Sequence, residues 1–221
     1  MVTASAQFSE ENFDPPVRGF LHRPGAAPRD GIVLTHGAGG NAHMPLLNAL
    51  AEAFSAAGFA ALRCNLPFRQ KRSFGPPRPG DAVRDRQGLK NAVLSMRAIA
   101  PGRVFLGGQS YGGRQASMLL AEDKVADGLL LLSYPLHAPA KPEQLRTEHL
   151  PRIEVPVLFV HGTRDPFGTI EEIEAARKLI PAKTELLTIE GAGHDLGFKR
   201  QTKREQLPDK VLVKFQQFFH R

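Results

Sequence analysis

One serine stands where a hydroxyl could do chemistry. Residues 107–113 read Gly-Gly-Gln-Ser-Tyr-Gly-Gly, which places Ser110 between Gly108 and Gly112 in a Gly-x-Ser-x-Gly pattern. Val104-Phe105-Leu106 before it has strand character, and the residues from Arg114 to Leu120 after it continue as a helix. A strand that turns abruptly into a helix exposes the hydroxyl at the corner, and side chains two places before or after the serine would collide there. With 21 glycines and eight serines in 221 residues, chance alone supplies about 0.07 such patterns. The chemistry this suggests is attack by an oxygen nucleophile. The competing reading is a glycine-rich strand-to-helix turn with an incidental serine.

A serine hydroxyl is a weak nucleophile near neutral pH and needs a base within hydrogen-bond reach, itself held by a third group. Glu190-Gly-Ala-Gly-His194-Asp195 follows a strand-like run, and its glycines at 191 and 193 would let the loop swing the His194 imidazole over a sheet edge. Asp165 lies in His161-Gly-Thr-Arg-Asp165-Pro-Phe-Gly168, just past the apolar run Val157-Leu-Phe-Val160. Serine, then acid, then histidine is one of the chain orders in which such a triad is built. Asp195 is the rival acid, but a residue adjacent to the histidine directs its side chain elsewhere, so Asp165 is preferred. Eight histidines are present. His36 and His161 each close a strand before a glycine and are expected to make local hydrogen bonds. His22, His43, His137, His149 and His220 have no comparable placement, although His43 or His137 could line a pocket.

Negative charge developing on a carbonyl oxygen needs donors. The stretch Gly31-Ile-Val-Leu-Thr-His-Gly-Ala-Gly-Gly40 looks like a strand and loop that offer the backbone N–H of Ala38, with the N–H of Tyr111 at the helix onset as the second donor. The same stretch also reads as a dinucleotide fingerprint, Gly37-x-Gly39-x-x-Ala42, which would make the chain an NADPH-binding Rossmann reductase. Against that, the next strand ends without the acidic residue that grips a ribose. Its Arg63 would suit only a 2′-phosphate, and helix onset is delayed to about Pro45. No metal-ligand spacing and no phosphate-loop Gly-Lys-Ser/Thr is present, so neither a metal nor a cofactor is expected.

The elements that must carry these groups follow from the hydrophobic pattern. Apolar runs at 17–22, 31–35, 60–65, 103–108, 128–133, 156–160 and 185–189 read as strands, several apolar on both faces. Between them lie helical stripes: Leu46, Leu47, Leu50, Phe54 and Ala57 after Pro45; Leu89, Ala92, Val93, Met96 and Ile99; the segment from Ser110 to about Glu122; Ile173, Ala176 and Ile180 before Pro181; and Leu212, Phe215, Phe218 and Phe219. Alternation of strand and helix predicts an α/β fold, a three-layer α/β/α sandwich around a mostly parallel, doubly wound sheet. Residues 68–80 are too rich in proline and glycine to be regular, and residues 136–154 are punctuated by Pro139, Pro142 and Pro151. Both would leave the carboxyl ends of parallel strands, where open α/β sheets bind ligands, and would shape the site.

A chain of 221 residues with 42% hydrophobic content suits one domain over residues 1–221. No apolar run is long enough to span a membrane, the N-terminus lacks signal-peptide character, and the lone Cys64 precludes an intramolecular disulfide; a cytoplasmic location is expected. The net charge of +7 gathers in Arg69-Gln-Lys-Arg72 and Lys199-Arg-Gln-Thr-Lys-Arg204 without interleaved aromatics. A solvated basic surface is the favoured reading and no nucleic-acid partner is expected; a basic rim that attracts anionic substrates is the alternative.

Taken together, residues 35–40 (Thr-His-Gly-Ala-Gly-Gly), 107–114 (Gly-Gly-Gln-Ser-Tyr-Gly-Gly-Arg), 133–137 (Ser-Tyr-Pro-Leu-His), 161–168 and 191–194 resemble the compact, dienelactone-hydrolase-related branch of the α/β-hydrolase superfamily. The resemblance runs from about residue 17 onward and implies an α/β-hydrolase fold without a large cap. It also implies Ser110 as nucleophile, Asp165 as acid, His194 as base, and Ala38 and Tyr111 as oxyanion donors. Dienelactone hydrolases proper carry cysteine at the elbow, so their substrate is not implied, and Cys64 inside a strand reads as a packing residue. The expectation is a carboxylesterase or thioesterase acting on small acyl substrates. The branch is also similar to a non-catalytic-looking subunit of a eukaryotic histone-acetyltransferase complex, so the alternative is a catalytically idle scaffold or interaction protein.

Overall fold

The computed structural model describes residues 5–198 and 206–219. Its centre is an eight-stranded sheet built from β1 (Ser5–Glu10), β2 (Val17–His22), β3 (Gly31–Thr35), β4 (Ala60–Cys64), β5 (Val104–Gln109), β6 (Gly128–Leu132), β7 (Val157–Gly162) and β8 (Thr184–Ile189). The spatial order is β1-β2-β4-β3-β5-β6-β7-β8. β2 runs antiparallel to both its neighbours, and from β4 to β8 every pairing is parallel. Order reverses at β3, which lies between β4 and β5, so the carboxyl ends of β3 and β5 open a crevice at the topological switch point.

Side chains alternate across the sheet and divide the core in two. Val33, Leu106, Leu131 and Phe159 face one layer, made by α3 (Asp81–Ile99), α4 (Tyr111–Glu122) and α5 (Ile170–Arg177). Ile32, Leu34, Phe105, Leu130 and Leu158 face the other, made by α1 (Pro45–Ala56) and α6 (Gln206–Phe219). Strands β3 to β7 are buried on both faces, which is why they read as continuous apolar runs and not as alternating ones. Phe105, Phe215 and Phe219 meet at ring-centroid distances of 4.5–4.8 Å and seal α6 onto the sheet. Cys64 is buried in β4, and burial pushes its thiol up to about 12, as suits a packing residue.

Three elements depart from the sequence expectation. β1 is mostly exposed and polar, so it lacks the apolar signal of a strand; backbone pairing with β2 defines it. Residues 68–80 are not wholly irregular, because a one-turn helix, α2 (Pro67–Lys71), starts on Pro67 and buries Pro67, Phe68 and Arg69. α5 stops at Arg177, and the chain continues toward Pro181 in tighter i to i+3 turns, Leu179 N–H to Ala176 O and Ile180 N–H to Arg177 O. Residues 136–154 contain one short 3₁₀ turn, Leu150–Arg152, and no cap-sized insertion. Among the described residues no helix is long and apolar enough to cross a membrane.

Candidate active site

The corner between β5 and α4 is a tight one. Ser110 has φ 51° and ψ −118°, a conformation that costs a non-glycine residue on the order of 1–3 kcal/mol. Its N–H bonds Leu132 O and its own carbonyl accepts from Arg114 N–H, both at 2.9 Å, so strand and helix together hold it there. A Cβ on Gly108 would lie 2.5 Å from the backbone of Gly112 and Gly113, and one on Gly112 would lie 2.4 Å from the carbonyl oxygen of His36. The glycines are therefore required by close backbone approach, and Gly113, whose Cβ would meet Gly108 O at 2.6 Å, joins the pair that the sequence singled out.

Three distant segments converge on this corner. The loop after β7 presents Asp165, whose carboxylate is fully buried and accepts the Phe167 N–H at 2.9 Å. His161, at the end of β7, donates from Nε2 to Gly168 O at 2.9 Å and so braces the same loop. The loop after β8 presents His194. Its backbone lies against the end of β7, with Arg164 N–H on Ala192 O at 2.9 Å, so close that a Cβ on Gly162 would sit 2.3 Å from Ala192 O. His194 Nδ1 is 2.8 Å from Asp165 Oδ2 and 3.0 Å from Oδ1, while Nε2 is 2.8 Å from Ser110 Oγ. A buried carboxylate accepts only, so Nδ1 carries the proton, and the Nε2 lone pair faces the serine hydroxyl. Phe167 stacks on the imidazole with centroids 4.1 Å apart.

The loop that follows β3 carries Ala38 beside the serine; His36 holds it through the local hydrogen bonds expected of it, and Arg69 and Asp85 are the buried groups near it that sequence reasoning missed. His36 donates from Nδ1 to Gly37 O at 2.8 Å and accepts the Leu66 N–H on Nε2 at 3.1 Å. Burial holds its pKa down to about 4, so the neutral ring that both bonds require is maintained. Arg69 is buried and donates to Gly40 O at 2.8 Å, Ala38 O at 2.9 Å, Gly75 O at 2.8 Å and Arg72 O at 3.2 Å. Within the basic stretch 69–72, Lys71 is exposed to solvent, whereas Arg69 is buried and Arg72 half-buried. Arg69 ties the Ala38 loop to the loop after α2, and Arg72 pairs with Asp81. Asp85, also buried, accepts the Phe68 N–H at 3.0 Å and the Tyr111 hydroxyl at 2.8 Å; burial raises its carboxyl pKa. Lys199 to Arg204, the second basic stretch, lies outside the described residues, as does His220.

These groups border a cleft of about 730 Å³ whose walls include Ala38, Met44, Pro135, Phe167, Arg114 and Arg146. Of the two segments expected to shape it, residues 136–154 contribute Arg146 directly, whereas residues 68–80 supply no lining residue and act through Arg69. His43 and His137 lie outside this lining, and His43 borders a separate groove beside Phe20 and Asn65. The dinucleotide reading finds no support in this arrangement. α1 begins only at Pro45, five residues past Gly40, and Arg63 is buried against His22 and Ala42 O, where it cannot meet a 2′-phosphate.

A family profile described as alpha/beta hydrolase domain matches residues 28–219. The chain belongs to the alpha/beta hydrolase family. Its fold recurs in solved structures of low sequence identity. A dienelactone hydrolase from Anabaena variabilis superposes with a TM-score of 0.76 at 19% identity over 99% of both chains. A serine hydrolase without lid from Xanthomonas campestris gives 0.71 at 15% over 97% of this chain and 96% of that one. An alpha-beta serine hydrolase homologue from Coxiella burnetii gives 0.70 at 18% over 97% and 98%. The alpha/beta hydrolase architecture thus spans nearly the whole chain, with the dienelactone hydrolase among its structural counterparts.

Proposed function

We propose that this alpha/beta hydrolase is a serine hydrolase that cleaves small esters or thioesters through an acyl-enzyme. The observation that carries the reading is the unbroken chain of contacts from Ser110 Oγ to His194 Nε2 at 2.8 Å and from His194 Nδ1 to Asp165 Oδ2 at 2.8 Å. In this reading Ser110 attacks the acyl carbonyl while His194 removes its proton. The imidazolium so formed is stabilised by Asp165, which keeps its own charge. The N–H groups of Ala38 and Tyr111 receive the oxyanion; both residues border the cleft beside Ser110. The tetrahedral intermediate collapses as His194 returns the proton to the leaving alcohol or thiol. Water, deprotonated by His194, then attacks the acyl-serine and releases the acid and free Ser110. The lack of a cap-sized insertion and the width of the cleft suit short acyl groups approaching from solvent.

Turnover of p-nitrophenyl acetate tests the reading. Wild type should hydrolyse it well above background, and Ser110→Ala and His194→Ala should each lower kcat by about 10³-fold or more. Wild-type rates in His194→Ala would remove the base from the scheme.

A further inference from the structure

Arg114 and Arg146 set the cleft apart from an ordinary apolar acyl pocket. Both border it, together with Ser110 and His194. Arg114 stands one turn into α4, its N–H on Ser110 O at 2.9 Å, so its side chain rises from the same turn as the serine. Arg146 comes from the segment after β6 and is fixed there by its backbone. Its N–H bonds Leu136 O at 2.8 Å and its carbonyl accepts the buried Tyr134 hydroxyl at 2.6 Å. One of its guanidinium nitrogens, Nη1, donates to Pro135 O at 2.9 Å.

Several arginines of this chain find carboxylates, Arg72 with Asp81, Arg86 with Glu122, Arg97 with Asp127 and Arg103 with Asp30, while the buried Arg63 and Arg69 donate to backbone carbonyls and His22. Among the described residues neither Arg114 nor Arg146 makes an ion pair, and Nε of Arg114 is buried with no hydrogen-bond partner. His149 is held neutral, at about 4, by burial and by Arg114 itself. Among the described residues Asp195 is the one acidic residue lining the cleft; it is on the His194 loop and accepts the Gly197 N–H at 3.0 Å. Burial, and then the Arg114 charge, push the pKa of Arg146 down, the mark of two cations sharing a partly desolvated space. Arginine stays protonated in proteins, so the cleft keeps this charge at every working pH. Two half-buried guanidiniums with no ion-pair partner among the described residues are the chemistry that receives an oxyanion through charge-assisted hydrogen bonds.

We propose that Arg114 and Arg146 form an anion-binding subsite, so that the ester or thioester taken by this cleft carries a carboxylate or sulfonate remote from the reacting carbonyl. The proposal rests on the hydrolase reading above and adds the substrate's charge to it.

Matched substrates test it: the 4-nitrophenyl monoester of adipic acid against the same ester of its terminal amide, and 4-acetoxybenzenesulfonate against 4-acetoxybenzenesulfonamide. The first pair places the anion on the acyl side and the second on the leaving group. The quantity read is the ratio of kcat/KM within a pair, so losses common to both members cancel. Wild type should favour the anionic member of at least one pair by roughly tenfold or more. Arg114→Gln and Arg146→Gln should bring that ratio toward one, and Arg114→Lys should retain part of it. A wild-type ratio near one in both pairs, with turnover intact, overturns the subsite and leaves the hydrolase reading standing. A ratio unchanged in both glutamine variants also overturns it. If no ester is turned over at all, the hydrolase reading falls, and calorimetric titration with adipate and adipamide still decides the subsite. Adipate binding that is at least tenfold tighter and is lost in the double glutamine variant supports it; equal or absent binding of the two overturns it.

Discussion

At the residue scale, activation of Ser110 depends on which imidazole nitrogen of His194 carries the proton. Asp165 holds His194 through Nδ1 with both oxygens, at 2.8 and 3.0 Å, and its carboxylate is out of reach of water. Replacing it by an amide would let the side-chain NH₂ face Nδ1 and favour the wrong tautomer, with the proton on Nε2 pointing at Ser110. Asp165→Asn should therefore lower kcat for p-nitrophenyl acetate by on the order of 10³–10⁴; a loss under tenfold would mean that Asp165 does not orient the base. Ser110, Asp165 and His194 were legible because each follows a strand in a glycine-marked loop and the three come in a recognisable order. Asp85 and Arg69 were not. Nothing local distinguishes a buried Asp in the polar start of α3, or an arginine in a basic run, from their solvated counterparts; burial is decided by packing from distant segments.

At the element scale the sheet was legible because β3 to β7 are covered on both sides and therefore carry unbroken apolar runs. The elements that escaped are those defined by backbone partners, as β1 is by β2, or by one local turn, as α2 is. α2 matters for function because it delivers Arg69 to the carbonyls of Ala38 and Gly40. Those bonds hold the Ala38 loop, so in the proposed reaction Arg69 is a positioning residue for the oxyanion. Arg69→Met should reduce kcat by about 10-fold to 10²-fold with KM little changed, since the donor is loosened and not deleted. Arg69→Lys, which reaches fewer carbonyls, should fall between. A change confined to KM would place Arg69 in substrate binding instead.

At the scale of the whole molecule, stability should depend on pH through histidines buried in neutral form. His22, His36 and His149 are each held at about 4 against an ordinary 6.5, burial being the first cause in all three. As pH falls through about 6.5 the unfolded chain takes up protons that the folded chain refuses until about 4, so stability is full above that window and drains within it. Burial lowers the pKa of His161 as well, whereas Asp85, raised by burial, works in the opposite direction, one group against four. The urea midpoint should accordingly fall between pH 7 and pH 4.5, and a flat or rising midpoint would show that these rings are solvated. The reaction itself is tested most directly by a fluorophosphonate probe followed by peptide mass spectrometry. A single adduct on Ser110, absent from Ser110→Ala and strongly slowed in His194→Ala, is the predicted result. An unlabelled wild-type protein, or an adduct on another residue, would contradict a serine activated by His194.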